Sequence, residues 1–184
     1  AYEITYGDWS SDVCSSDLVT ATENLVMAAV LAPGRTTPFN AACEPHVQDL
    51  CRMLNAMGAR VSGIGTNYLK IEGVERLHGV RRRVSPDYIE AASFLVAAAV
   101  TGGELIIERA PEEHLDVLAG PLRKLGLSWE MCAGELRQPG GQRLTVCNDF
   151  GSAVPKIEDG PWPNFPSDLM SVLLVLATQA RGTV

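Results

Sequence analysis

Residues 160–169, read as GPWPNFPSDL, place a carboxylate, Asp168, at the start of an apolar stretch of helical character. Three prolines restrict the approach to it, because the pyrrolidine ring fixes φ. A carboxylate that is held rigidly can act as a general base toward an attacking hydroxyl group. Ser167 and Asp168 are also typical first-turn residues of a helix, so helix capping alone explains their types equally well.

The thiols do not indicate a metal site or a disulfide framework. Five cysteines contain no CxxC pair and lie in helix-like or strand-like patterns: Cys14, Cys43, Cys51, Cys132 and Cys147. This distribution favours thiols buried in the core. We therefore expect no metal ion and no organic cofactor.

Composition and charge limit the class of protein. Hydrophobic residues make up 46% of the chain and charged residues 20%, which is typical of a globular domain. The formal charge of −7 argues against a nucleic-acid surface, and the one basic cluster, RRR at 81–83, is typical of a solvated face. The apolar stretches are too short to cross a bilayer, so we expect a cytoplasmic protein that binds neither membrane nor nucleic acid.

Residues 1–18 differ from the rest of the chain in lacking apolar periodicity. Within them, DWSSDVCSSDL at 8–18 resembles the translation of a common sequencing-adapter oligonucleotide. We therefore expect residues 1–18 to be a non-native segment and the native sequence to begin near Val19.

The chain contains an internal repeat. The first copy has a helix ending in AAVLAPG, a strand in RTTPFNAA, a helix over EPHVQDLCRMLNAMG and a strand in ARVSGIG. The second has AAAVTGG, ELIIERA, PEEHLDVLAGPLRKLG and LSWEMCAG, and LATQARGTV begins a third. The glycines that follow the two helices are 24 residues apart in both copies, at positions 34 and 58 and at positions 102 and 126. The pattern predicts an α/β (α+β) fold built from repeated units.

Apolar residues at helical spacing predict the buried face of one helix in each copy. They are Val47, Leu50, Cys51, Leu54 and Met57 in the first copy and Leu115, Leu118, Leu122 and Leu125 in the second. Glu44-Pro45 and Pro111-Glu112 are typical of helix first turns, where proline loses no hydrogen bond. QPGGQ at 138–142 predicts a hairpin turn.

These segments resemble, in order, the UDP-N-acetylglucosamine enolpyruvyl transferases. The matching segments are ATENLVMAAVLAPG (21–34), EPHVQDLCRMLNAMGARVSGIGTN (44–67), IEGVERL (71–77), SPDYIEAASFLVAAAVTGG (85–103) and GPWPNFPSDL (160–169). The resemblance covers residues 19–184. It implies two domains of three βαβαββ units each, in an inside-out α/β barrel fold that this chain contains incompletely. Residues 19–85 would be the last unit of one domain, and residues 86–184 the first unit and part of the second unit of the other.

The resemblance also implies a reaction. The family transfers the enolpyruvyl group of phosphoenolpyruvate to the 3-hydroxyl of UDP-N-acetylglucosamine and releases phosphate, as a step of peptidoglycan precursor synthesis. Asp168 matches the family's catalytic base, which also contacts the nucleotide sugar. Phosphoenolpyruvate and UDP-N-acetylglucosamine are the partners expected, in a cleft between the two domains.

A second binding segment is expected at Val19, Thr20 and Ala21, where the family holds the uridine and diphosphate of UDP-N-acetylglucosamine. Thr20 would offer its hydroxyl, and free backbone amides at the start of a helix over residues 23–31 would bind the anion. An N-cap at Thr22 explains the same residues without a ligand. Glu44, His46 and Asp87 fall in motifs that, in relatives, contact a moving catalytic loop or bound product.

Two alternatives stay open at this point. The family's proton-donor cysteine loop and its lysine-asparagine pair have no counterpart in these residues, so we expect the fragment itself to be inactive. Cys43, His46 and Tyr88 depart from the commonest family pattern, which is compatible with a silent paralogue that binds a nucleotide sugar or a partner. A 3-phosphoshikimate enolpyruvyl transferase is the other alternative within the same fold.

Overall fold

A computed structural model of the chain describes residues 15–184. The chain divides into two compact units, unit 1 up to Ser85 and unit 2 from Pro86 onward. Most of the predicted non-native segment, and Cys14 with it, lies outside the described residues. The assignment of the two units to particular repeats of a larger enzyme stays a prediction.

Unit 1 consists of two helices packed on a small antiparallel sheet. Its elements are α1 (Ser15–Ala29), β1 (Arg35–Thr36), α2 (Pro45–Ala56), β2 (Arg60–Ser62) and β3 (Lys70–Glu72). The strand order is β1-β3-β2, so the last strand in sequence is central. Ile71 on β3 is opposite both Thr36 and Val61 and is fully buried.

The predicted apolar face of α2 forms much of the core of unit 1. Val47, Cys51 and Leu54 are buried, and Leu50 and Met57 pack against the same cluster. The helix begins at Pro45, as predicted, because proline has no amide hydrogen to leave unpaired in a first turn.

Unit 2 repeats this plan and continues beyond it. Its elements are α3 (Tyr88–Thr101), β4 (Leu105–Glu108), α4 (Glu112–Lys124), β5 (Glu130–Cys132), β6 (Glu135–Gln138) and α5 (Met170–Gln179), with 3₁₀ turns at Phe150–Ser152 and Ser167–Leu169. The antiparallel order β4-β6-β5 is the same as that of unit 1. Leu115, Leu118, Leu122 and Leu125 are each at most 2% exposed, which confirms the predicted face of α4.

The start and the end of α3 follow from local sequence. Asp87 Oδ1 accepts hydrogen bonds from the amides of Ile89 and Glu90, at 2.8 and 3.2 Å, so Asp87 is the N-cap. Gly102 ends the helix in the left-handed conformation with φ 72°.

The structure corrects the predictions for the QPGGQ segment and for the cysteines. The QPGGQ segment is not a hairpin turn: β6 ends at Gln138, and the turn that joins β5 to β6 is at Ala133 and Gly134. The expectation of core thiols holds for Cys51, whose pKa burial raises to about 11, but Cys132 and Cys147 are exposed.

The chain that leaves unit 1 is attached to α2 by Asp49. One carboxylate oxygen accepts from Arg82 Nη2 at 2.7 Å, and the other accepts from the backbone amide of Ser85 at 3.2 Å. Burial alone would raise the pKa of Asp49, but the hydrogen bonds from Arg82 and Ser85 outweigh it and lower that pKa overall.

This lowered pKa predicts an acid-sensitive contribution to stability. Asp49→Asn should reduce the free energy of unfolding by about 1 kcal/mol at neutral pH. The pKa is lower in the folded state than in the unfolded state, so the contribution is present above the unfolded pKa of about 4 and is lost as pH falls through the folded pKa. The difference between the wild type and the variant, measured by urea unfolding from pH 7 to pH 3, should therefore close at the acid end. Glu75→Gln, at an exposed position of unit 1, is the control, and a difference independent of pH would contradict the prediction.

No helix in the described residues is both long enough and apolar enough to cross a bilayer. Within those same residues, no cluster of three or more histidine, cysteine or acidic side chains has the arrangement of a metal site.

Candidate functional site

Residues 160–169 form the loop that leads into α5. Hydrogen bonds between backbone groups of this loop close it on itself. The amide of Gly160 donates to the carbonyl of Phe165 at 3.0 Å, and the amide of Asn164 donates to the carbonyl of Pro161 at 2.9 Å. Phe165 is buried in the core of unit 2. The loop is therefore a compact structure that packs against the core of unit 2.

Asp168 lies in the 3₁₀ turn Ser167–Leu169, directly before α5. Leu169 is buried beside it, whereas the Asp168 side chain is exposed. In the described part of the chain, no hydrogen bond or ion pair engages the Asp168 carboxylate. The structure thus presents both carboxylate oxygens of Asp168 to an incoming donor, at the end of a helix where the dipole favours negative charge.

Ser167 is not the N-cap of this turn. Pro166 occupies that position, and Ser167 is the first residue within the turn. Ser167 and Asp168 therefore both lie within the first turn, in agreement with their residue types.

A groove of about 710 Å³ runs along one side of the loop, lined in part by Pro163, Asn164 and Phe165. Its lysines are matched by carboxylates: Lys124 Nζ lies 2.9 Å from Asp149, and Lys156 pairs with Glu158. Because each of these lysines has an acidic partner, the groove has no excess of positive charge for an anion.

The predicted nucleotide-binding residues lie in unit 1, in a conformation that differs from the prediction. The helix expected over residues 23–31 begins at Ser15, so Val19, Thr20 and Ala21 lie inside α1. Amides inside an α-helix donate to carbonyls four residues earlier. The expectation that amides at a helix start near Ala21 bind an anion is therefore wrong. Thr20 is exposed, and the role of these three residues in binding stays a prediction.

Thr22 is a tertiary contact and not an N-cap. Its hydroxyl donates to the carbonyl of Leu18 at 2.8 Å and accepts from the amide of Ala42 at 2.9 Å. Thr22 is only 1% exposed, so this hydroxyl satisfies a buried amide of the segment that leads to α2.

Thr22→Val should lower the stability of the chain by about 1–3 kcal/mol, because the buried amide of Ala42 loses its acceptor. Thr20→Val is the matched control, since it makes the same change at an exposed position of the same helix. Urea unfolding of both variants checks the prediction. Equal losses would mean that β-branched apolar residues in α1, and not the buried amide, cause the effect.

The remaining candidate residues, Cys43, Glu44 and His46, lie at and directly before the start of α2. Glu44 is 8% exposed and precedes α2 without a side-chain capping bond, and His46 is exposed. Burial, and then the neighbouring Glu44 carboxylate, raise the pKa of the Cys43 thiol. These observations assign no chemistry to Glu44 or His46.

Sequence reasoning missed one group beside the Asp168 loop. The rings of Tyr88, His114 and Trp162 contact one another in unit 2. Tyr88 and His114 lie in the first turns of α3 and α4, and Trp162 lies in the proline-rich loop, so the sequence offered no signal that the three rings meet.

A family model described as EPSP synthase (3-phosphoshikimate 1-carboxyvinyltransferase) matches residues 10–184. The chain belongs to the EPSP synthase family. The curated relatives that the chain matches have another name, UDP-N-acetylglucosamine 1-carboxyvinyltransferase. The protein of that name from Borreliella burgdorferi is 51% identical over 166 residues, and the one from Bacteroides thetaiotaomicron is 47% identical over 166 residues.

These alignments cover 90% of this chain but only 39% and 38% of the two relatives. The chain thus spans about two fifths of the length of the curated family members it matches. The resemblance to UDP-N-acetylglucosamine enolpyruvyl transferases is confirmed over that part.

Solved structures of the family support the predicted fold. The enolpyruvyl transferase NikO from Streptomyces tendae superposes with a TM-score of 0.72 at 22% identity, over 89% of this chain and 38% of that chain. EPSP synthase from Acinetobacter baumannii gives a TM-score of 0.53 at 21% identity, over 80% and 33%. The predicted class, helices and sheets in repeated enolpyruvyl transferase units, is confirmed, and the described residues form no closed barrel.

Proposed function

We propose that this chain is part of an enzyme that transfers the enolpyruvyl group of phosphoenolpyruvate to the 3-hydroxyl of UDP-N-acetylglucosamine. The observation that carries the proposal is the exposed Asp168 carboxylate, in a chain whose curated relatives are named for this reaction. The product is a peptidoglycan precursor, and the reaction would take place in the cytoplasm as a step of cell-wall biogenesis.

In the proposed mechanism, Asp168 accepts the proton of the sugar hydroxyl while the hydroxyl oxygen forms a bond to C2 of phosphoenolpyruvate. A separate acid adds a proton to the methylene carbon, which gives a tetrahedral adduct. Loss of one proton from the resulting methyl group, together with loss of phosphate, then restores the double bond. A carboxylate is a weak base, so it must be in hydrogen-bond reach of the hydroxyl as the oxygen attacks.

Thr20 would contribute to nucleotide binding through its side chain. Thr20 is exposed, and it lies two residues before the buried Thr22, on a different face of α1. Val19 and Ala21 flank it and would contact the same ligand. This part of the proposal rests on the family resemblance and on the exposure of Thr20.

A chimera provides the test. Residues 19–184 replace the matching segment of the Borreliella burgdorferi relative, which is 51% identical and supplies the remaining length. We expect phosphate release from phosphoenolpyruvate that depends on UDP-N-acetylglucosamine, whereas the 184-residue chain alone should give none. A folded chimera that turns over neither this acceptor nor 3-phosphoshikimate would contradict the proposal.

The same assay distinguishes the alternative acceptor. The family model is described by the 3-phosphoshikimate reaction, whereas the curated relatives are named for the nucleotide sugar. Turnover with 3-phosphoshikimate alone would assign the chain to the first activity. The identity of 51% to a relative of the second name makes UDP-N-acetylglucosamine the acceptor we propose.

A further inference from the structure

The rings of Tyr88, His114 and Trp162 form a closed aromatic cluster in unit 2. Ring centroids are 5.9 Å apart for Tyr88 and His114, 5.4 Å for Tyr88 and Trp162, and 5.9 Å for His114 and Trp162. All three pairs are edge-to-face, with interplanar angles of 67°, 63° and 84°. This geometry is one of the two favoured for aromatic pairs, because ring edges are positive and ring faces negative.

The cluster joins three separate parts of the chain. Tyr88 is the first residue of α3 and is 4% exposed, and His114 lies in the first turn of α4. Trp162 belongs to the loop that leads to Asp168. The two helix starts are therefore in contact with the N-terminal part of the loop through these rings.

The backbone hydrogen bonds of the loop do not connect it to α3 or α4. Its hydrogen bonds from Gly160, Asn164 and Leu169 all end on residues of the segment 161–166. The bridge between Asp159 and Phe165 is also internal. Of the apolar side chains that tie the loop to the core, Phe165 and Leu169 lie at the end near Asp168, and Trp162 lies at the other end.

We propose that Tyr88, His114 and Trp162 are positioning residues that fix the orientation of the loop and hence of the Asp168 carboxylate. The proposal rests on the proposed function for its kinetic consequence, but not for its structural one. Pro163 and Pro166 stiffen the backbone between Trp162 and Asp168, so a displacement of the indole ring is transmitted along the loop. A misplacement of about 1 Å can lower the rate of a reaction about 100-fold.

The structural part is tested in the 184-residue chain by hydrogen exchange. Trp162→Ala should raise the exchange rates of the amides of the non-proline residues at 160–169 about tenfold, and Trp162→Phe, which keeps a ring, should restore them to within about threefold. Exchange of the α4 amides reports whether unit 2 stays folded. Unchanged rates in Trp162→Ala, or equal rates in the alanine and phenylalanine variants, would overturn the proposal.

The partner ring is tested by His114→Ala and His114→Phe. The alanine variant should loosen the same loop amides, and the phenylalanine variant should not. Glu113→Ala changes the neighbouring exposed residue of the same helix turn and is the matched control. If His114→Ala unfolds the unit, the Trp162 pair still decides the question, because Trp162 lies in a loop.

The kinetic part uses the full-length chimera. Trp162→Ala should lower kcat about 10- to 100-fold with less than about a threefold change in KM for UDP-N-acetylglucosamine, and Trp162→Phe should recover kcat. A rise in KM alone would mean that Trp162 binds substrate, which overturns a positioning role. If the unmodified chimera is folded but inactive, the proposed function fails, and the exchange results still decide the structural claim.

Discussion

Asp168→Asn should lower the turnover number of the chimera by about 100- to 10,000-fold, because an amide cannot accept the proton of the attacking hydroxyl. Asparagine has nearly the same shape as aspartate, so the loop and the start of α5 should be unchanged. If Asp168 interacts with the sugar hydroxyl mainly in the transition state, kcat falls and KM for UDP-N-acetylglucosamine changes little. The assay is phosphate release from phosphoenolpyruvate.

Asp159→Asn is the matched control for this prediction. It makes the same chemical change directly before the same loop, at another exposed aspartate. Its turnover should stay within about threefold of the unmodified chimera. Equal losses in both variants would indicate a general effect of charge in the loop, and full activity of Asp168→Asn would remove Asp168 from the mechanism.

Gly73→Ala should destabilise unit 1 by about 3 kcal/mol or more. Gly73 directly follows β3, and its amide donates to the carbonyl of Gly34 at 2.9 Å. A Cβ atom at this position would overlap the carbonyl oxygen of Ala32, which belongs to the backbone and cannot rotate away. The turn after α1 would therefore have to move as a whole.

Gly79→Ala separates this overlap from the general effect of replacing a glycine. A Cβ atom at Gly79 meets nothing within 4 Å, and we expect its free energy of unfolding to stay within about 0.5 kcal/mol of the wild type. Urea unfolding of both variants provides the comparison. A loss of less than about 1 kcal/mol in Gly73→Ala would show that the turn at Ala32 is adaptable.

The elements that depend on local sequence were predictable, and those that depend on tertiary contacts were not. The faces of α2 and α4 followed from a helical period, because Val47 and Leu118 each belong to a long regular series. The start of α1 did not, because the Thr22 hydroxyl accepts from the amide of Ala42, in another segment, and does not cap the helix. Nothing in the local sequence around Thr22 distinguishes these two uses.

The sequence also did not predict which single residues on short strands are exposed. Cys132 lies on the solvent face of β5, a strand of three residues, which is too short to show alternation. Its burial was therefore predicted from residue type alone, and wrongly.

In the candidate site too, the feature that depends on local sequence was predictable, and the feature that depends on tertiary contacts was not. The place of Asp168 at a helix start followed from the prolines and the apolar run around it. The ring cluster did not, since Tyr88, His114 and Trp162 are far apart in sequence and come together only when the starts of α3 and α4 pack beside the loop. Side-chain contacts of this kind depend on the packing of helices and leave no periodic pattern.

The shared strand order of the two sheets has a consequence for the order of folding. In each sheet the central strand, β3 or β6, is adjacent in sequence to one partner and separated from the other by a whole helix. Closing a short loop costs less chain entropy than closing a long one, so the hairpins β2–β3 and β5–β6 should form early. Strands β1 and β4 should then join last, after α2 and α4 have docked, and each unit would complete its sheet with the strand that was synthesised first.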